Sequence, residues 1–307
     1  MGVRFGQASA FGHLTIIMVH GDEELPAKAY MPLEDAMHAR HVTVHETGEV
    51  DKLRVETTGD SDVFIQAGDI VKGGKQDRVV RGDFIVSREG GSVVLPAFCV
   101  EQGRWAQRGA ELEGSFSGSR SSIVGRKLKL TTTLGGSQRD VWDEVDATQE
   151  RLSRRLGASV VNKISESSLN LTLENEVLSS EIARHVAALE TLATSDAIGF
   201  GYAIRGEPSG LEIYGARALF RSLWPKMLRA AVTEALSEPE APPHPVSDVR
   251  AWFARKLDEL GALSPLERHR AGRVRVLARE DDSAVLVETV DEKFGRVLHR
   301  RLIPKAA

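Results

Sequence analysis

The first hundred residues alternate apolar and polar positions in a way that predicts mainly β-strands. Residues 14–19 form a short apolar run, which suits a strand covered on both faces. Val42 and Val44 alternate with polar neighbours, as expected for a strand with one buried face. Glycine-rich turns such as 90–91 separate further apolar runs. The pattern therefore predicts a mainly antiparallel, β-rich N-terminal half.

The composition shifts near residue 109, and longer helices are predicted beyond it. Ser137 and Asp140 form a pair like a capping box, and apolar residues at helical spacing follow, so a helix should begin at Ser137. A strongly apolar helix is expected over residues 219–236, interrupted or restarted at Pro225. The Gly- and Ser-rich stretch 114–122 is predicted to be a flexible loop. Strands and helices together predict the α+β class.

Four prolines between Pro239 and Pro245 predict a linker between two parts of the chain. A small unit should follow it, made of one helix and a β-meander. The expected boundaries are therefore 1–236 for an α+β domain, 237–246 for the linker and 247–307 for the C-terminal unit.

The overall composition excludes some classes of partner. The chain has 307 residues, 41% hydrophobic and 27% charged, as in an ordinary globular protein. Its net charge of −4 gives no general attraction to nucleic acid or an anionic membrane, so we expect neither as a partner. Cys99 is the single cysteine, and residues 1–6 lack an apolar signal core. We therefore expect a cytoplasmic protein.

A glycine-containing run from Gly68 to Arg78 carries Lys75 and Gln76. Glycines let backbone N–H groups approach an anion closely, and basic side chains supply positive charge. The run is not a P-loop, because Gln76 stands where a magnesium-binding Ser or Thr is needed. Two interpretations stay open, a phosphate-binding turn and a hairpin whose charges face solvent.

A second run, residues 96–105, ends in Glu101, Arg104 and Trp105. Arginine can hold a phosphate through two hydrogen bonds, and tryptophan can stack on a base. The alternative is structural, with Trp105 covering the core and Arg104 paired to a carboxylate. Only four residues separate Cys99 from Arg104, one too few for a phosphatase Cys-x5-Arg loop, so Cys99 is interpreted as an inert core thiol.

Gln138 extends the candidate site because it lies at the start of a predicted helix, where anions are attracted. Trp142, four residues later, is assigned to the core. His41 and His45 share one face of a predicted strand but form no His-Glu-x-x-His signature, so no metal site is predicted. The sequence identifies no cofactor.

The two runs also carry a family pattern. The chain resembles the ARG and Rhodanese-Phosphatase-superfamily-associated Protein domain family of bacteria, in which ARG stands for ADP-ribosylglycohydrolase. The residues that carry the resemblance are Gly68-x4-Gly73-Gly74-Lys75-Gln76-x-Arg78 and Cys99-Val100-Glu101-x-Gly103-Arg104-Trp105, with additional similarity at 31–46 and at Gln138-x3-Trp142. The similarity covers about residues 10–236. It departs from the expected pattern at Asp69 and Asp77, where Glu and Asn are expected.

The resemblance implies, by association, a role in NAD-derived nucleotide metabolism or signalling. We therefore expect the chain to bind or process a phosphorylated, nucleotide-derived small molecule connected with NAD or ADP-ribose. In this hypothesis Lys75, Arg78 and Arg104 hold phosphate, Trp105 stacks on a ring, and Gln76 orients a polar group.

Two other hypotheses remain open. One is a non-enzymatic interaction or scaffold domain, in which the same residues lock the sheet together. The other is a hydrolase that uses Glu101, the only nearby carboxylate nominated as a general base.

Overall fold

Seventeen strands and six helices make up the part of the chain that the computed structural model describes. That part comprises residues 2–26, 29–73, 76–89, 91–100, 116–122, 126–156, 176–238 and 248–305. The strands are β1 Val3–Phe11, β2 Leu14–Gly21, β3 Tyr30–Pro32, β4 Val42–Glu46, β5 Lys52–Thr57, β6 Asp62–Ile65, β7 Asp69–Gly73, β8 Arg78–Val80, β9 Phe84–Val86, β10 Ser92–Cys99, β11 Phe116–Ser122, β12 Ala197–Ile204, β13 Glu207–Tyr214, β14 Leu266–Ala271, β15 Val274–Glu280, β16 Ala284–Asp291 and β17 Arg296–Pro304. The helices are α1 Leu33–His38, α2 Arg126–Leu134, α3 Gln138–Leu156, α4 Glu176–Leu189, α5 Arg217–Ser237 and α6 Val249–Gly261. These helices and mainly antiparallel sheets confirm the predicted α+β class.

The chain forms two units that are discontinuous in sequence. The first comprises Met1–Ala29, Arg184–Ala235 and Pro239–Ala307, and the second comprises Tyr30–Ala183 with Leu236–Glu238. This division differs from the predicted boundaries 1–236, 237–246 and 247–307. The reason is that β17 pairs with β13, so the C-terminal strands complete a sheet begun by N-terminal ones. Residues 239–246 of the predicted linker lie outside the described residues.

An eight-stranded antiparallel sheet forms the framework of the first unit, in the order β1-β2-β12-β13-β17-β16-β15-β14. Helix α6 covers one face of the sheet and buries Phe253 and Leu260 there. Asp248 caps the helix by accepting hydrogen bonds from the N–H groups of Arg250 and Ala251. The predicted C-terminal helix and β-meander are thus present as α6 and β14–β17.

Two neighbouring residues on β12 show how this sheet separates two helices. A Cβ atom at Gly201 would lie 2.8 Å from the ring of Phe253, so only glycine fits beneath α6. Phe200 points the opposite way and packs against Trp224 of α5, with ring centroids 5.1 Å apart. Helix α5 continues through Pro225, contrary to the expected interruption. Buried side chains on both sides of the proline, Trp224 and Leu228, anchor its two turns.

The second unit contains a six-stranded antiparallel sheet, ordered β11-β7-β8-β10-β5-β4, and a three-stranded sheet, ordered β3-β6-β9. Val42 and Val44 on β4 are buried, which confirms the alternation seen in the sequence. Strand β10 changes partner along its length, because residues 92–96 pair with β5 and residues 97–99 pair with β8. The position of β8 beside the end of β10 brings the two predicted runs into one sheet.

The described part of the Gly- and Ser-rich stretch, residues 116–122, is a strand at the edge of this sheet and not the flexible loop expected from its composition. Phe116 pairs with Gly73 and Ser117 pairs with Lys72, so β11 adds to β7. Backbone hydrogen bonds to an available strand edge outweigh the poor strand propensity of Gly and Ser. No helix within the described ranges combines the length and apolar character needed to cross a bilayer.

Candidate functional site

Three of the seven residues predicted for the site can be placed. They are Gln76, Arg78 and Gln138, all in the second unit. Gln76 precedes β8, Arg78 is the first residue of β8, and Gln138 is the first residue of α3. The other four lie outside the described residues, so their roles stay predictions: Lys75, Glu101, Arg104 and Trp105.

Arg78 carries a positive charge into the interior of the second unit, where its side chain is only 2% exposed. Nη1 donates to the main-chain oxygen of Gln76 at 3.0 Å and to its side-chain Oε1 at 3.3 Å. Nη2 lies 4.0 Å from Oε1 of Glu46, too far for a hydrogen bond. Nε has no hydrogen-bond acceptor among the described residues. In this part of the chain the guanidinium is therefore hydrogen-bonded only to neutral oxygens.

The side-chain amide of Gln138 behaves like one residue of an extra strand beside β10. Its Nε2 donates to the carbonyl oxygen of Cys99 at 2.8 Å, and the N–H of Cys99 donates to its Oε1 at 2.9 Å. We call this pair of bonds the amide clamp. On the other edge of β10, the N–H of Val100 donates to the carbonyl oxygen of Asp77. Cys99 therefore turns its polar backbone groups away from β8.

This orientation brings the side chains of Cys99 and Arg78 close together. The two residues are register partners in an antiparallel pair. Because the N–H and C=O of Cys99 bond to Gln138, the pair is of the non-hydrogen-bonded kind, in which opposite side chains lie closest. Cys99 itself is buried and forms no disulfide, as expected of a core thiol. The amide clamp thus fixes the strand position directly opposite Arg78.

The local sequence explains why α3 begins at Gln138. Oδ2 of Asp140 accepts hydrogen bonds from Oγ and from the N–H of Ser137, each at 2.7 Å. The N–H of Asp140 donates to Oγ of Ser137, which confirms the predicted capping box. The hydrogen bond from the Ser137 side chain, followed by that from its backbone, lowers the pKa of Asp140. The cap holds the helix start and, with it, the amide of Gln138.

The glycines of the 68–78 run shape turns and do not form a phosphate cradle at the positions that can be described. The N–H of Gly68 donates to the carbonyl oxygen of Val80, and the N–H of Gly73 donates to Oδ1 of Asp77. Both glycines have positive φ, 95° and 122°, which L side chains rarely adopt. These two amides already have internal acceptors, so neither is available to an anion.

The two positions that depart from the expected family pattern both hold buried carboxylates. Oδ2 of Asp69 accepts the N–H of Gln66 at 2.9 Å, and Asp77 accepts that of Gly73 at 3.1 Å. Each carboxylate therefore stabilises the backbone of a tight turn. This gives Asp69 and Asp77 a structural role near Arg78.

A protein-family model matches residues 2–302 of the chain, and its description is ARG and Rhodanese-Phosphatase-superfamily-associated Protein domain, or ARPP-1. The match spans both units. The chain belongs to this family. The matched region of this ARPP-1 domain extends well beyond the residues 10–236 expected from the two motifs, and it includes the C-terminal strands. No curated protein and no solved structure matches the chain.

In this ARPP-1 domain the segments that carried the resemblance meet around Arg78. Glu46, which ends the 31–46 segment, lies 4.0 Å from its guanidinium. Cys99, which opens the second motif, is its register partner, and Gln138 binds the backbone of Cys99. Residues far apart in sequence are thus gathered at one buried arginine. The centre of the candidate site is therefore Arg78.

Sequence reasoning did not place Glu46 in the site. The period-two pattern of β4 contained the signal, because it puts Glu46 on the same face as the buried Val42 and Val44. A carboxylate in line with two buried valines points towards the interior and needs a polar partner there. Arg78 is the nearest charged group that the described contacts assign to it.

Proposed function

We propose that the chain binds a phosphorylated, nucleotide-derived small molecule and that Arg78 holds its phosphate. The observation that carries the proposal is the charge around Arg78, a buried guanidinium whose hydrogen-bond acceptors in the described chain are neutral oxygens. Burying a cation without a directly bonded anion costs free energy, so the site becomes more stable when an anion enters. Phosphate suits a guanidinium because it accepts two parallel hydrogen bonds.

Further residues complete the proposed site. Lys75 and Arg104 add positive charge for phosphate, and Trp105 stacks on a ring of the ligand. Gln76, whose oxygens accept hydrogen bonds from Arg78, orients the guanidinium. Glu101 is the carboxylate nominated as a general base if the bound molecule is also processed.

The nucleotide part of the proposal comes from the family description, which names ARG and the rhodanese-phosphatase superfamily. With ARG read as ADP-ribosylglycohydrolase, NAD and ADP-ribose are the first compounds to test, on the strength of association alone. We also propose a cytoplasmic location, since a chain with one cysteine has no intramolecular disulfide to protect and suits a reducing compartment.

A thermal-shift titration with NAD, ADP-ribose, AMP, ADP, sugar phosphates and free phosphate tests the proposal. A ligand at 100 times its Kd stabilises a protein by about 2.7 kcal/mol, which raises the Tm by a few degrees. Arg78→Lys keeps the charge but removes the planar fork, so it should lose most of that shift. Arg104→Ala should lose it too. Long incubation is needed, because a guanidinium that is 2% exposed is reached only after the groups covering it move.

Arg81→Lys is the matched control, because it makes the same chemical change three residues further along. The guanidinium of Arg81 lies over the ring of Phe98, 4.3 Å from its centroid, and is not part of the proposed site. This variant should keep the wild-type shift. Equal shifts in wild type and Arg78→Lys would reject Arg78 as the phosphate contact, and no shift with any compound would reject the proposed function.

A scaffold domain is the second candidate, and the amide clamp favours it. Both polar atoms of the Gln138 amide bond to the backbone of Cys99, and Nη1 of Arg78 bonds to two oxygens of Gln76. If these contacts serve only to lock the sheet, replacing Arg78 should destabilise the protein strongly and no phosphorylated compound should bind. The titration above and the stability of Arg78→Met decide between the two candidates.

A further inference from the structure

The indole N–H of Trp142 is a second buried donor near the candidate site. Nε1 is shielded from solvent and has no acceptor among the described residues. A buried indole N–H normally finds a hydrogen-bond partner, because leaving the donor unpaired costs free energy. Trp224 follows that rule, since its Nε1 donates to the carbonyl oxygen of Glu190 at 2.8 Å. Trp142 is therefore a donor whose acceptor has to be sought elsewhere.

The position of Trp142 connects it with Arg78. Trp142 lies four residues after Gln138 on α3, so their side chains are neighbours on one face of the helix. Helix α3 packs against β10, and the amide clamp attaches its first residue to Cys99. Cys99 in turn lies opposite Arg78. The helix face that carries Trp142 is thus held at the strand beside the buried guanidinium.

Both Arg78 and Trp142 need a hydrogen-bond acceptor. Nε of Arg78 and Nε1 of Trp142 are buried N–H donors without acceptors in the described part of the second unit. A phosphate or diphosphate group carries several acceptor oxygens, so one ligand can satisfy both donors. A neutral or cationic ligand cannot do so as well. The shared deficit therefore defines the chemistry of the molecule that would fit.

We propose that Nε1–H of Trp142 donates a hydrogen bond to the same phosphorylated ligand that Arg78 holds. The inference rests on the proposed function and adds a specific donor to it. Trp142 thereby changes from a core residue to a ligand-binding residue, and α3 contributes both the amide clamp and one contact with the ligand.

Indole resonances of 15N-tryptophan-labelled protein test the proposal directly. The chain has four tryptophans, and the signal of Trp142 is assigned as the one missing from Trp142→Phe. On addition of the compound that gives the largest thermal shift, this signal should move downfield, as expected for a newly hydrogen-bonded N–H. The Trp224 signal is the internal control and should stay in place, because its acceptor is already the protein backbone.

Thermal shifts of Trp142→Phe give an independent readout, because the variant keeps an aromatic ring and removes the indole N–H, together with part of the ring system. Unliganded, it should lose less Tm than Trp224→Phe does, since removal of a buried unpaired donor offsets part of the packing that the smaller ring loses. Its affinity for the ligand should fall about 10-fold or more, the effect of one hydrogen bond to a charged group. Trp224→Phe should lower the unliganded Tm and leave the affinity unchanged.

The outcomes separate this inference from the function on which it rests. Wild-type binding that Arg78→Lys loses but Trp142→Phe keeps, with an unmoved Trp142 signal, overturns the inference alone. A loss of unliganded Tm in Trp142→Phe as large as that in Trp224→Phe also overturns it, because the indole would then behave like one with an internal partner. No binding by wild type rejects the proposed function and this extension together.

Discussion

Two arginine environments in this chain handle buried positive charge in different ways. In the first unit, Glu288 on β16 accepts hydrogen bonds from Arg300, whose Nε lies 2.7 Å away, and from Arg279 on the opposite side. In the second unit, Arg78 is more deeply buried, and its hydrogen-bond acceptors among the described residues are the two oxygens of Gln76. Glu288 thus has two arginines in direct contact, whereas the nearest carboxylate oxygen that the described residues offer to Arg78, on Glu46, lies 4.0 Å away.

The behaviour of Glu288 shows what a complete ion network looks like. Burial of its carboxyl group opposes ionisation, but the charge of Arg300 and hydrogen bonds from Arg279 and Arg300 outweigh burial and lower its pKa. Arg279 and Arg300 therefore find their counter-charge, Glu288, within the fold. Among the described residues Arg78 has no directly hydrogen-bonded carboxylate, and this contrast is the basis for proposing it as the ligand contact.

Breaking the complete network should have the largest effect. Glu288→Ala leaves Arg279 and Arg300, whose side chains are 14% and 18% exposed, without their shared carboxylate. The expected loss is about 3–5 kcal/mol of unfolding free energy, measured by urea denaturation at pH 7. Glu267→Ala, which removes an exposed carboxylate paired with Arg270, is the control and should change little.

The same network should make stability depend on pH. The folded pKa of Glu288 is lowered, so its contribution is complete above the unfolded value of about 4.3 and is lost as the pH falls through the folded value. Wild type should therefore lose more stability below about pH 4.3 than Glu288→Gln does. Parallel pH profiles for the two proteins would contradict the assigned role of the carboxylate.

Removing the amide clamp should have the next largest effect. Gln138→Ala leaves the N–H and carbonyl of Cys99 without their partners, at a cost of about 1–3 kcal/mol. Gln138→Glu keeps an acceptor for the N–H and should lose less. Amide hydrogen exchange at Cys99 measures the effect locally and should speed up in the alanine variant. Unchanged protection there would show that the clamp does not hold the strand opposite Arg78.

Loss of the helix cap should cost less than loss of the clamp. Ser137→Ala removes the hydroxyl that bonds to Asp140, and N-cap substitutions of this kind typically cost about 1 kcal/mol. Ser137→Thr keeps a hydroxyl and serves as the control. A loss as large as that of Glu288→Ala would mean that the cap supports far more of the second unit than the start of α3.

The smallest effect should come from the residue at the centre of the site. Without ligand, Arg78→Met should change the unfolding free energy by less than about 1 kcal/mol, because a flexible apolar side chain keeps much of the packing and removes a buried charge that has no directly hydrogen-bonded anion among the described residues. A loss of about 3 kcal/mol or more would equate Arg78 with the Glu288 network and favour the scaffold candidate.

Local signals in the sequence predicted the local parts of this fold. The alternation around Val42 and Val44 gave β4, and the Ser137–Asp140 capping box gave the start of α3. The C-terminal helix and meander also followed from short-range patterns. In each case the decisive interactions lie within one element or between neighbours in sequence.

Features that depend on distant pairing were missed for one physical reason. Phe116 becomes part of a strand because it pairs with Gly73 at the edge of a sheet. In the same way, β17 belongs to the first unit because it pairs with β13. The amide clamp joins residues that lie 39 positions apart. Motif spacing identified Arg78 and Gln138 as candidates, but only the register of β8 and β10 shows that they converge.

Because the first unit is discontinuous in sequence, its sheet can be completed only late in synthesis. Strand β2 emerges early from the ribosome, yet its partner β12 begins only at Ala197, after the whole of Tyr30–Ala183 has been made. At about 5–20 residues per second, β1 and β2 wait roughly 10–35 s with one sheet edge unpaired. During this interval the nascent chain already contains Arg78, Cys99 and Gln138, so the residues of the amide clamp and its arginine are all made before the first sheet can be completed.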